Sequence, residues 1–179
     1  MPNTKKLTLG SAVKRRPVVV AVSGGFDPIH VGHVRLFEEA KKLGDVLVVI
    51  LNNDNWLKKK KRHVFMPEAE RKEIIAVLKP VDRVLLTKHP ENPKTPHDMS
   101  VSRELKELKP DIFANGGDRD EKNASDPNSS LHADIQTCQT YGIKMIFNIG
   151  DGGKVQSSSW LLKKYLERVN GKGEGGGVK

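Results

Sequence analysis

The sequence predicts an α/β fold: a doubly wound, Rossmann-like parallel five-stranded sheet with helices on both faces. Two observations carry this. Five short runs rich in Val, Ile and Leu read as continuously apolar rather than alternating, as strands buried on both faces do, and helical patterns separate them. Four polar or glycine-rich segments, SGGFDPIHVGH, KKKKR, NGGD and DGGKVQSSS, follow the first, second, fourth and fifth of those runs. In open parallel sheets ligands sit at the carboxyl ends of the strands, near a switch point.

The elements follow in order. Residues 17–23 (PVVVAVS) form a strand, and 34–44 a helix whose apolar face holds Val34, Phe37 and Ala40, with Gly44 as its C-cap. Residues 45–52 form the second strand, and KKKKR at 58–62 is a basic run in the loop after it. Residues 67–80 form a helix with Pro67 in its first turn and acids early, as the helix dipole prefers. Strand 82–86 follows, then a segment 94–110 containing a helix that ends before Pro110, and strand 111–115. A helix covers 129–141, the fifth strand 143–149, and a serine-capped helix 157–169 closes the body.

The chain of 179 residues is long enough for one domain with a real core, taken as 17–170. Residues 1–16 read as a flexible basic arm and 171–179 as a flexible tail. One cysteine, Cys138, forbids an internal disulfide and suits a reducing compartment. No stretch approaches the ~18 apolar residues of a membrane span, and the first residues lack the apolar core of a secretory signal. The expectation is a cytoplasmic protein. Of the net charge of +9, five positive charges lie in residues 1–16. Aromatics make up only 5% of the chain and offer no stacking platform, so nucleic acid is not the expected partner.

SGGFDPIHVGH carries most of the chemistry. Gly24 and Gly25 let the backbone turn sharply and approach a ligand. Asp27-Pro28 favours a turn and helix initiation. His30 and His33, three apart at a helix start, face one side, where exposed N–H groups and the positive dipole end make an anion site. Gly32 leaves room for a ring or sugar. A Gly-Gly turn has no structural need of two histidines, and a metal would lack a third ligand, since Glu38 and Glu39 lie more than a turn further on.

His30-Val31-Gly32-His33, preceded by Gly25-Phe26-Asp27, resembles the HxGH signature of the cytidylyltransferase-like nucleotidyltransferase superfamily. The likeness runs in order over roughly 17–168 and is nearest in pattern to glycerol-3-phosphate cytidylyltransferases and heptose-phosphate adenylyltransferases. It implies transfer of a nucleoside monophosphate from a triphosphate, CTP ahead of ATP, to a phosphorylated alcohol or sugar, releasing pyrophosphate. It also implies Mg²⁺ accompanying the triphosphate and a homodimer. As catalytic residues it suggests His30, His33, Lys60 and Arg71; as nucleotide-binding residues Gly24, Gly25, Phe26, Asp27, Gly32, Arg62, Gly117, Asp118, Ser157, Ser158 and Ser159. The acceptor phosphate is ionised at neutral pH, so no general base is needed, and positioning and charge neutralisation remain.

There are departures and alternatives. Lys154 stands where such families often carry an arginine, and residues 88–102 and 119–130 do not match closely. Asp118 is either a turn former or a base or ribose contact, the three serines either an N-cap or phosphate donors, and Trp56 either an exposed loop aromatic or a lid. His63, His89, His97 and His132 carry no pattern, and solvated is their default. The competing class is a catalytically inactive nucleotide- or nucleic-acid-binding protein.

Overall fold

The computed structural model describes residues 15–116, 129–150 and 156–171. Its elements are β1 (Val19–Gly24), α1 (Val31–Lys41), β2 (Val46–Leu51), α2 (Asp54–Lys61), α3 (Glu68–Ala76), β3 (Arg83–Leu86), a 3-10 turn (Pro96–Met99), α4 (Ser102–Leu108), β4 (Ile112–Gly116), α5 (Ser130–Tyr141), β5 (Lys144–Ile149) and α6 (Ser158–Gly171). The five strands form one sheet in the order β3-β2-β1-β4-β5, every pair parallel. The order reverses between β1 and β4, so the loop leaving β1 sits at the switch point.

Strand periodicity divides the core in two. On one face Val20 and Val22 of β1 and Leu47, Val49 and Leu51 of β2 pack with Phe37 and Ala40 of α1 and Ile75 of α3. On the other, Ala21, Ile50 and Phe113 pack with Leu105 of α4 and Cys138 of α5. Register is fixed at the amino-terminal edge by one device used three times. An aspartate just before a strand accepts a backbone N–H from the neighbouring strand's start: Asp45 from Val18, Asp82 from Leu47, Asp111 from Val19. Arg15 and Arg16 are fastened there too, to Asp45 and Asp111.

Three local expectations change. The basic run is not a loop: Lys58–Lys61 form the last turn of α2. Asn53 caps that helix by accepting from Trp56 N, Asp54 lies in its first turn, and the lysines lie at the negative end of its dipole. Gly44 is not a C-cap, because α1 ends at Lys41 and Lys42 caps it. It is glycine because a Cβ there would lie 2.7 Å from Val20 Cγ2 and 2.8 Å from the Val18 carbonyl. His89 is buried rather than solvated. Its Nδ1 accepts from Thr87 Oγ1 (2.7 Å) and its Nε2 donates to Ser100 O (3.0 Å), while Thr87 Oγ1 accepts from Asn53 N. This network, completed by Asn53 Nδ2 donating to His89 O, ties the start of α2 to the loop after β3.

Candidate active site

The turn from β1 to α1 is built by close packing. A Cβ on Gly24 would lie 2.7 Å from the Phe26 ring, and one on Gly25 would lie 2.7 Å from Leu57 and 3.3 Å from the Trp56 ring. Phe26 takes a left-handed φ of 48° and is held there by edge-on contacts with Phe37 and His33, each 5.0 Å between ring centroids. Asp27 is fully buried and accepts from Phe65 N and Met66 N, so the segment before α3 is fastened to the turn.

His30 and His33 both cap α1. Gly32 N donates to His30 Nδ1 (3.1 Å), and His30 N donates to His33 Nδ1 (3.3 Å). Capping was the lesser of the readings that the two histidines allowed, and the caps determine the chemistry. A neutral imidazole whose Nδ1 accepts carries its proton on Nε2, so each ring keeps one Nε2–H donor. The rings stack at 3.6 Å and 21°. Gly32 is needed because a Cβ would come within 3.0 Å of the His30 ring. Its missing side chain therefore seats that ring rather than leaving room for a ligand.

Both imidazoles are held neutral. Burial and the Lys61 charge push His30 below its ordinary range, and burial, then His30, then Lys61 lower His33 to about 3. Folding thus favours the neutral forms. Their stabilisation is fully present above pH ~6.5, the unfolded value, and is lost as pH falls toward 3. We expect urea midpoints of the protein to fall between pH 6.5 and 4, and those of His33→Asn to fall less over the same interval. Parallel pH profiles for the two proteins would contradict this.

The cation beside the histidines is Lys61, one residue from the expected Lys60. Lys61 Nζ donates to the Asp27 carbonyl at 2.9 Å, and burial lowers its pKa. Leu57 and Lys61, four apart, share the inward face of α2, whereas Trp56, Lys59 and Lys60 share the next face. Arg62 is the exposed left-handed C-cap of α2.

Arg71 does not face a ligand. It is 0% exposed, and its guanidinium donates to the carbonyls of Gly25 (2.6 Å), Asn52 (2.8 Å) and Met66 (2.9 Å) and to Asp54 (2.6 Å). It is a strut joining β1, β2, α2 and α3 behind the turn. The start of α6 closes the site. Ser157 O accepts from Leu161 N, and Ser158 Oγ donates to Pro28 O at 2.9 Å, which sets the helix's free N–H groups against the turn. Ser159 is exposed. Gly117, Asp118 and Lys154 lie outside the described residues.

The assembled features are two Nε2–H donors, an ammonium and a helix N-terminus at the sheet's switch point, a set suited to a polyanion such as a triphosphate. The family model described as cytidylyltransferase-like matches residues 21–140. The chain is 40% identical over 100 residues to an FAD synthase of Ferroglobus placidus, an alignment covering 56% of this chain and 59% of that protein. The chain thus spans less than two thirds of that relative's length. It is 35% identical to an FAD synthase of Thermoplasma acidophilum over 85% of this chain and 96% of that one. Among solved structures, a lipopolysaccharide core biosynthesis protein from Thermoplasma volcanium superposes with a TM-score of 0.57 at 27% identity, covering 75% of this chain and 98% of that one.

Proposed function

Because the chain belongs to the cytidylyltransferase-like family, within the nucleotidyltransferase superfamily, we propose that it transfers the adenylyl group of ATP to flavin mononucleotide, forming FAD and pyrophosphate. The observation that carries the reaction class is the pair of stacked neutral imidazoles, each fixed by its cap with its proton on Nε2, beside Lys61. The choice of adenylyl over the cytidylyl group first expected rests on the FAD synthase relatives, one of them aligned over 85% of this chain.

The chemistry needs little from the protein beyond placement. An ionised oxygen of the acceptor phosphate attacks the α-phosphorus, and a new P–O bond forms. The bond from that phosphorus to the β-bridging oxygen breaks, and pyrophosphate leaves with the electron pair. The imidazole Nε2–H groups donate to the phosphate oxygens as charge moves onto the leaving group, with Lys61 and the α6 N-terminus adding positive potential. Neutral imidazoles donate without the cost of protonating a buried ring. Among the described residues no three His, Cys, Asp or Glu side chains gather to hold a metal. Mg²⁺, where it accompanies the triphosphate, would supply charge neutralisation there.

The test is pyrophosphate release with FMN and each of ATP, CTP, GTP and UTP. We expect ATP to exceed the others in kcat/KM by a factor on the order of 10². Faster turnover with CTP would return the site to cytidylyl transfer.

A further inference from the structure

Helix α6 outruns the body that carries it. Ser158, Leu161, Leu162, Tyr165, Leu166 and Val169 share one side of the helix, an arc of about 140° at roughly 100° per residue. The first turn of that arc is seated: Ser158 is buried and bonded to Pro28 O, and Leu161 and Leu162 are half-buried. The arc then continues for two more turns over solvent. Every residue from 163 to 170 is exposed, and Tyr165, Leu166 and Val169 are 64%, 55% and 50% exposed. Large apolar side chains aligned on an exposed helix face mark a contact surface, and a helix this short is marginal in water without one.

The pattern says which contact. Leu162, Tyr165, Leu166 and Val169 are symmetric about the midpoint between 165 and 166, so reversing the helix exchanges Leu162 with Val169 and Tyr165 with Leu166. A two-fold axis at that midpoint lays apolar on apolar along the stripe, the self-complementarity that an isologous contact needs. The charges do not oppose it. Lys163, Lys164 and Glu167 lie on the far side of the helix, with Lys163 and Glu167 paired at 3.9 Å. Arg168 lies at the rim, where its stem can cover apolar surface while its head stays in water. We infer that α6 packs antiparallel against α6 of a second copy of this chain. Antiparallel packing also keeps the two bodies at opposite ends of the helix pair, since each body holds its own helix by the first turn. The partner's Val169 then meets Leu162, about one turn from the bond between Ser158 and Pro28. The pair therefore braces the helix start that closes the site. A contact of one helix pair falls below the ~1,200 Å² of a standard interface, which makes the dimer weak.

Sedimentation velocity on the full chain tests this. The parent is expected to pass from monomer to dimer with a Kd on the order of 10 µM. Tyr165→Glu and Leu166→Glu each place a carboxylate at the axis and should weaken association at least ~10-fold. Their melting curves should match the dilute parent's, because both side chains are exposed. Lys164→Ala, on the far side of the helix, should leave association unchanged. With ATP and FMN, turnover per chain should rise with the dimer fraction in the parent and stay flat in Leu166→Glu. A parent that stays monomeric up to ~100 µM would overturn the pairing. So would a dimer that survives both glutamates, or a monomer whose α6 binds only anionic phosphatidylglycerol vesicles. Turnover that ignores the dimer fraction would overturn the bracing of the site. The turnover arm rests on the adenylyl-transfer reading and the sedimentation arm does not, so the two fail separately.

Discussion

Replacing His30 or His33 with asparagine is expected to lower kcat by roughly 10²–10³-fold each, the loss that follows removal of one preorganised donor. Asparagine is chosen because its side-chain oxygen can stand where Nδ1 stands. It can accept the cap hydrogen bond that each histidine receives from Gly32 N or His30 N, while the Nε2–H donor is gone. Alanine would remove both functions and add an N-cap loss of about 1 kcal/mol. The pair of substitutions therefore separates catalysis from helix capping. If the histidines only cap α1, asparagine should restore near-full turnover and alanine should not. Steady-state kinetics and a melting curve on the four single variants decide between these outcomes.

Replacing Arg71 is expected to have the largest effect on stability. Arg71→Met removes a fully buried guanidinium that satisfies three backbone carbonyls and the partly exposed Asp54. The carbonyls of Gly25 and Asn52 are then left buried without donors, at about 1–3 kcal/mol each. Lysine does not rescue the site, since one ammonium cannot reproduce the planar fork that reaches Gly25, Asn52 and Met66 together. Both variants should show urea midpoints well below the parent. If Arg71 were instead a phosphate ligand, Arg71→Lys would fold normally and change only KM. A normal urea midpoint for Arg71→Lys would contradict the strut.

The strands were legible because consecutive β-branched residues between helical patterns leave few alternatives, and the HVGH turn because two histidines after paired glycines are rare chemistry. The basic helix was not. Four lysines and an arginine read as solvated charge, and the signal that makes them helical lies upstream, in Asn53 capping and Asp54 at the first turn. A single residue rotates a side chain about 100° around a helix, which sets Lys61 beside the histidines and Lys60 on the next face. The buried place of Arg71 is hard to read from sequence for a related reason. Arginines are almost always outside unless paired, and its partners include the carbonyls of Gly25 and Asn52, from two distant segments that leave no trace in spacing. His89 was unreadable likewise, because its burial depends on Thr87, Ser100 and Asn53 meeting across a loop.

If the turn activates the α-phosphorus of a nucleoside triphosphate, the position of a label in the products shows it. The protein is incubated with FMN and ATP carrying ³²P at either the α or the γ position. We expect α-label in the flavin product and γ-label only in pyrophosphate, in equal amounts. Label from the γ position in the flavin product or in inorganic phosphate would mean attack at the terminal phosphorus, and would contradict nucleotidyl transfer at this site.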